Sequence, residues 1–475
     1  MKITYVASEA NPFCASGGLG DVMGALPKNV ASMDGVDEVS VILPLYGNMK
    51  EVYKSKLTKL IDFSFKLSWR NTGSTAYMLV DSGVKYYFLE NHYYFDRPNL
   101  YGEHDDGERF AFFSMAVIEF MLSTGNIPDV LHTNDWQSAL AVIYLKTKYS
   151  SNPSLCGIKT VYTIHNIEYQ GKFDPLILGD VFSLDERYRS IVEFDGCINL
   201  MKGALITSDF ITTVSPNYAK ELQYDFYAFG LQEIIGSVSH KMDGVINGID
   251  YDYFSPDKGG DIDFKYSQRT LKSGKLKNKT ALLSELRLDT SEDIPLIAMI
   301  TRFATQKGID LLLNISDRLL SQRVQMIILG TGDKDYEQAF RDLEARHPNL
   351  RALIKFDRVI SKRIYASADI FLMPSKFEPC GLAQMICCSY GTIPVVRATG
   401  GLADTIIPYG QEGGNGFTFA TYNAEDFLDA VNRATELFKN KDEWTKLRKA
   451  ANSCDFTWNN SAKKYMSIYN NLLNW

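Results

Sequence analysis

Residues 295–308 read PLIAMITRFATQKG, and their reading decides the fold. Leu296 to Ile300 is a run of five apolar residues without alternation, which reads as a short strand covered on both faces. Arg302 follows it closely, Lys307 comes five residues later, and Gly308 opens a helical pattern. The same unit recurs as VQMIILG (324–330), ALIKF (352–356), DIFLMP (369–374) and IPVVRA (393–398), each followed by a helical stretch. Near-continuous apolar strands alternating with helices predict a doubly wound α/β domain built on a parallel sheet. Such sheets bind ligands beyond the carboxyl ends of their strands, so polar residues placed just after a strand matter most.

Towards the N-terminus a first series has the same character: ITYVAS (3–8), EVSVIL (38–43), DVLHT (129–133), KTVYTI (159–164) and FITTV (210–214). Helical segments separate them, one around Phe110–Leu122. Ile61, Phe63, Phe65 and Leu67 alternate with polar residues and suggest a hairpin on the sheet edge. Asn247 to Ser267 is rich in Gly, Asp and Tyr and follows neither period, which makes it the expected junction between two α/β domains, 1–246 and 247–457. The full 475 residues suit two domains of roughly 200 residues each.

Composition narrows the function. With 57 acidic and 50 basic side chains the net charge is −7, which argues against a nucleic-acid or anionic-membrane binder but leaves room for a local cationic pocket. Seven dispersed cysteines without a C-x-x-C pair fit free thiols in a reducing compartment. Neither they nor the six histidines have metal-site spacing, so no metal is expected. The apolar run at the start stops at Ser8 and Glu9, short of a signal-peptide core, and no stretch reaches the ~18 apolar residues of a membrane span. The expectation is a cytoplasmic protein.

The post-strand loops carry the candidate chemistry. In CASGGLGD, Gly17 and Gly18 start a helix, where backbone amides can approach a phosphate; an ordinary tight turn is the alternative. Asp21 lies one turn in, facing cleft or solvent, and Pro27 predicts a kink or an early end. Asn134 and Asp135 precede the helix WQSALAV, as a site or simply as an N-cap. His165 follows a strand at a cleft mouth, whereas His132, inside a strand, reads as a satisfied core residue. Arg302 and Lys307 can both reach a diphosphate, or can be two solvated surface charges. Glu378 stands before a helix starting near Gly381, placed to bind sugar hydroxyls or to cap; Cys380 reads as a small packed residue. Thr399, Gly400 and Gly401 form a second place where amides could cradle phosphate. The basic stretch RTLKSGKLKNK (269–279) reads as a solvated helix face.

Taken together, the loops resemble those of the glycogen and starch synthases, GT-B glycosyltransferases. The motifs are SGGLGDVMGALP (16–27), HTNDW (132–136), TIHNIEYQG (163–171), TVSPNYAKEL (213–222), VINGID (245–250), TRFATQKGIDLL (301–312), ADIFLMPSKFEPCGLAQ (368–384) and VVRATGGLADT (395–405), which span essentially the whole chain. The resemblance implies two Rossmann-like domains facing a deep cleft, with a C-terminal helix (458–475) crossing back to the first. It implies transfer of glucose from ADP-glucose, with retention and without a metal or cofactor, to the non-reducing end of an α-1,4-glucan. Carried onto this chain, Arg302 and Lys307 neutralise the leaving diphosphate. Glu378, with the amides near Cys380 and Gly381, holds the glucose; His165 lies beside it and Asp135 near the reacting centre. Gly17, Gly18, Asp21, Asn247, Thr399, Gly400 and Gly401 fall on the substrate side. One position departs: the family's usual lysine before the Gly-Gly pair is Ala15 here. A UDP-glucose-preferring or other retaining glucosyltransferase, and a weakly active glucan-binding paralogue, are the alternatives.

Overall fold

The computed structural model describes residues 1–474. It divides into two compact units, one of residues 1–245 together with the segment from Trp458, the other of residues 246–457. The chain thus leaves the first unit once and re-enters it as a helix.

In the N-terminal unit the main strands are β1 (Lys2–Val6), β2 (Glu38–Pro44), β3 (Thr58–Leu67), β4 (Arg70–Asp81), β5 (Val84–Glu90), β6 (Val130–Asn134) and β7 (Lys159–Ile164). A small sheet of β8 (Lys172–Phe173), β9 (Glu193–Phe194) and β10 (Cys197–Asn199) follows, then β11 (Phe210–Thr213) and β12 (Met242–Gly244). Among the described residues the large sheet has nine strands in the order β12-β11-β7-β6-β1-β2-β5-β4-β3. The pairs from β12 through β5 are parallel; β5-β4 and β4-β3 are antiparallel. The alternating residues 61–67 do form that edge hairpin. β5 and β12 were not legible: YYFLE lacks a following helix signal, and MDG is three residues long.

β1 has neighbours on both sides, β2 and β6, and the chain order reverses there. Its core combines strand residues such as Tyr5, Val41 and Phe88 with Leu19, Val22 and Leu26 of the helix Gly18–Ala31. Trp458, Ala462, Tyr465, Tyr469 and Leu472 of the terminal helix Trp458–Leu473 join the same core at helical spacing. Pro27 does not end its helix: the helix runs on to Ala31. Pro27 is buried between Leu26 and Val30, and burial of that face offsets the lost N–H, a defect of about 3 kcal/mol in an exposed helix.

The C-terminal unit holds β13 (Leu296–Ile300), β14 (Gln325–Gly330), β15 (Leu350–Ile354), β16 (Ile370–Met373), β17 (Ile393–Arg397) and β18 (Phe417–Phe419). Every pair is parallel, in the order β15-β14-β13-β16-β17-β18. This is the dinucleotide-fold order, whose switch point lies between the first and fourth strands, here β13 and β16. β18 lay in a stretch without an apolar run.

The basic stretch 269–279 departs from expectation. It forms most of the helix Leu271–Glu285, but Lys275 and Lys279 face inward, 1% and 4% exposed. Lys275 donates to the carbonyls of Tyr365 and Ala366 and to the Thr392 hydroxyl, and Lys279 pairs with the buried Asp369 at 2.7 Å. Composition cannot reveal such partners, because they come from residues about 90 or more positions away. No described helix is long and apolar enough to cross a membrane.

Candidate active site

Both switch points carry the residues picked out by the loops. In the N-terminal unit, Glu9 follows β1 and is 3% exposed. Its carboxylate accepts from the Ser16 amide (2.5 Å), the Ser16 hydroxyl (2.8 Å), the Gly17 amide (3.1 Å) and the Tyr101 hydroxyl (2.5 Å). It folds the glycine loop back onto the strand end. The Gly17 amide is therefore spent on Glu9, while Gly18 begins the helix with open space above its Cα. Asp21 is exposed and accepts from the Asn11 side chain at 2.5 Å. Glu9 was not singled out by sequence; the signal was a carboxylate directly after the first strand.

At the ends of β6 and β7 the N-cap reading of Asn134 and Asp135 fails. Asn134 makes no side-chain cap, and Asp135, itself the first helical residue, sits in the left-handed region at φ 55°. Its carboxylate turns across to β7 and accepts from the amides of His165 (2.8 Å) and Asn166. Burial pushes its pKa up to about 7 against the pull of those two N–H groups, with the charge of Glu9 adding to the rise. Asn134 donates to the carbonyls of Val6 (3.2 Å) and His132 (3.3 Å), so its Oδ1 faces His165 Nε2 at 2.9 Å. That oxygen only accepts, so Nε2 carries the proton and Nδ1 offers a lone pair. Burial holds His165 neutral, its pKa lowered to about 3.

His132 is the satisfied core residue expected. It bridges the Tyr469 hydroxyl (2.7 Å) on the terminal helix and the Thr163 hydroxyl (2.5 Å) on β7, and burial lowers its pKa to about 3 as well. These groups set a pH dependence. Each neutral imidazole contributes stability that is present above about pH 6.5 and lost as pH falls towards 3, since the unfolded chain binds the proton first. Asp135 has the opposite sign: its raised folded pKa favours the folded state at low pH, an advantage lost as pH rises to about 7. Two rings against one carboxyl leave a net loss on acidification. His132→Gln is expected to flatten the stability profile between pH 6 and 4.5 by up to about 1.4 kcal/mol per pH unit, one proton's worth. Chemical unfolding at several pH values checks this; parallel curves for the two proteins would contradict it.

In the C-terminal unit the loops after β13 and β16 meet. Lys307 donates to both oxygens of Glu378, at 3.0 and 2.8 Å, and Ser375 donates to one of them at 2.9 Å. Glu378 is 6% exposed, so this is a half-open ammonium on a buried carboxylate rather than a surface pair. Arg302 is exposed and has no hydrogen bond or ion pair among the described residues. The Glu378 backbone rests on the glycines after β17. Gly401 donates to the carbonyls of Glu378 (3.1 Å) and Pro379 (3.2 Å), and Thr399 donates to Arg397 (2.9 Å). The amides of Thr399 and Gly401 are thus engaged within the chain and do not form the open cradle expected there. Cys380 is packed, as expected: burial raises its thiol to about 12, and the Asn247 backbone amide donates to it. Asn247 itself is 6% exposed with a buried Oδ1 lacking a partner. Gly381 lies two residues before the helix Ala383–Ser389, at φ 71°. Ser375, which steadies Glu378, was missed; a serine three residues before a glutamate is too common to single out.

Both units are Rossmann-like, and each gathers polar residues at its switch point. Residues 2–237 match the starch synthase catalytic domain, and residues 287–469 match the group 1 glycosyl transferases. The chain is 42% identical to a glycogen synthase of Clostridium kluyveri over the full length of both, and 44% identical to that of Clostridium beijerinckii over 99% of each. Its structure is similar to the catalytic domain of starch synthase IV from Arabidopsis thaliana bound to ADP and acarbose, with a TM-score of 0.90, 32% identity, and coverage of 100% and 99%. A sucrose-phosphate synthase from Thermosynechococcus elongatus, at TM-score 0.64 and 16% identity over 100% and 99%, shares the fold alone. The chain belongs to the glycogen and starch synthase family of glycosyltransferases.

Proposed function

We propose that this protein is a glycogen synthase that transfers glucose from ADP-glucose, with retention, to the non-reducing end of an α-1,4-glucan. The observation that carries the reading is the Lys307–Glu378 pair, with the unpaired Arg302 in the same loop as Lys307, at the switch point of the C-terminal unit. The ADP bound to the Arabidopsis relative supports an adenine nucleotide.

In this reading the acceptor 4-hydroxyl attacks the anomeric carbon on the face from which ADP departs. The anomeric carbon–oxygen bond to the diphosphate breaks, and the hydroxyl proton passes to a departing phosphate oxygen. Arg302 and Lys307 stabilise the charge that grows on the diphosphate, the dominant contribution in such sites. Glu378 and the Gly381 amide hold glucose hydroxyls, and Nδ1 of the neutral His165 accepts from another. Asp135 fixes the His165 backbone near the reacting centre, and Gly18 donates to phosphate. No cofactor beyond the donor is invoked. A cytoplasmic location belongs to the same proposal, supported by seven free cysteines.

Elongation of glycogen with ADP-glucose and with UDP-glucose in parallel tests the proposal. Faster growth with ADP-glucose is the expected result. A preference for UDP-glucose removes the donor assignment, and no growth with either removes the reaction. Ala15 sharpens the donor question, because the exposed alanine leaves the glycine loop without its own cation. Ala15→Lys is expected to tighten ADP binding roughly tenfold, the low end of a charge-assisted contact of about 1.5–3 kcal/mol. Glu9, whose carboxylate caps the same loop, competes for the new ammonium and limits the gain. Unchanged affinity by titration calorimetry means that the lysine is captured there.

A further inference from the structure

The C-terminal unit gathers basic side chains at the other end of its sheet as well. A cavity of ≈ 30 Å³, more than the about 10–15 Å³ that holds one water, is lined by Lys272, Lys275, Lys279, Lys441 and Arg448 against two acids, Glu292 and Asp369. Asp369 directly precedes β16, and it accepts from the Leu296 amide at the start of β13 (2.8 Å). The cavity therefore lies at the amino ends of the central strands. Strands of four and five residues separate it by on the order of 15 Å from the loops of Lys307 and Glu378.

The buried acid, Asp369, is already used. Asp369 takes Lys279, the Leu296 amide and Arg448, and Lys275 is filled by two carbonyls and a hydroxyl. What remains buried and unpaired is all of one kind, while the carboxylate of the exposed Glu292 has no partner among the described residues. Trp444 is 2% exposed, and its indole Nε1–H is buried without an acceptor; so is the Nε–H of Arg448. Lys272 is exposed and has no partner among the described residues. Burial lowers the pKa of Lys275 well below its usual value; without it, and counting Asp293, which pairs with Lys441 at 3.6 Å, basic groups still outnumber acidic ones by four to three. Buried donors are seldom left unpaired in folded proteins, and water would satisfy the donors without balancing the charge.

We propose that this cavity binds a small oxyanion of the phosphate class, held by the Trp444 indole N–H, the Arg448 guanidinium and the Lys272 ammonium. Arginine supplies directed N–H groups and lysine a mobile charge, the usual division of labour around phosphate. The cavity is closed by the helices Leu271–Glu285, Ala424–Lys439 and Lys441–Asn452, which come from opposite ends of the unit's sequence. Occupancy therefore ties them together and is read as stability, independently of the proposed reaction.

The test is thermal unfolding of the full chain in sodium phosphate against sodium chloride of equal ionic strength. A saturable rise on the order of 2–4 °C specific to phosphate is expected. Trp444→Phe keeps the ring and removes the donor, and Lys272→Gln alters an exposed, unpaired residue; each is expected to weaken the apparent Kd about tenfold, the loss of one hydrogen bond to a charged group. Arg302→Gln, at the other end of the sheet, should leave the response intact and so separate it from binding at the glucosyl-transfer site. Glycerol phosphate beside inorganic phosphate tells an esterified group from the free ion. A response equal to that of chloride, one lost in Arg302→Gln, or an affinity untouched by both cavity substitutions overturns the proposal.

Discussion

Lys307→Ala is expected to lower turnover by roughly two to three orders of magnitude, the scale on which one stabilising contact to a developing charge acts. It is also expected to destabilise the C-terminal unit by about 2–4 kcal/mol, because it strands the buried Glu378 carboxylate with only the Ser375 hydroxyl. Reading both residues as loop positions suggests a loss of activity alone; the structure adds the second effect. Glu378→Gln should reduce turnover to a similar extent at a smaller cost in stability. Lys307 is 22% exposed, so water can replace the lost carboxylate. Urea unfolding together with initial rates separates the two variants. Full turnover in either folded protein would remove the pair from the catalytic site, and equal stability losses would contradict the asymmetry.

Gly400→Ala is the second large effect. Gly400 sits at φ 46°, and a Cβ there would lie 1.9 Å from the Glu378 carbonyl oxygen, a contact that only backbone movement can relieve. Gly401 is equally confined, its Cβ direction blocked by the Cys380 carbonyl at 2.1 Å. Substitution at 400 therefore pushes the Glu378 loop away from Lys307. A loss of about 2–4 kcal/mol is expected from strain and overpacking. Turnover should fall at least a hundredfold, since about 1 Å of misplacement at a reacting centre costs that much. Rates on the folded fraction, with circular dichroism to measure that fraction, decide it. A variant that retains both stability and turnover would show that the Glu378 loop tolerates displacement.

These predictions rest on contacts that differ in how far they could be read in advance. Arg302, Lys307, Gly308 and Glu378 were legible because each stands in a short loop between an apolar run and a helical pattern, and such punctuation is local. The edge hairpin was legible from residues 61–67 for the same reason: period-two alternation shows within one strand. Asp135 was not. Its position before a helix allowed a site or a cap, and neither reading shows that its carboxylate crosses to the amides of His165 and Asn166, on the neighbouring strand's loop. Lys275 and Lys279 were misread because a basic run looks solvated until the residues buried against it are known. The helix does not end early at Pro27 because a core face can outweigh a local helix defect.

The sequence by itself determined the two α/β series, the loops in which chemistry is placed, and the family resemblance that its motifs carry. Only the tertiary structure decided the strand orders, and with them which loops meet. It joined Lys307 to Glu378 across 71 residues, propped Glu378 on Gly401, and turned the Gly17 amide onto Glu9. The reason is physical: periodicity and turn chemistry act over a few residues, whereas partnership depends on which strands lie side by side. That choice follows from the burial of whole helices and sheets, and no short stretch encodes it.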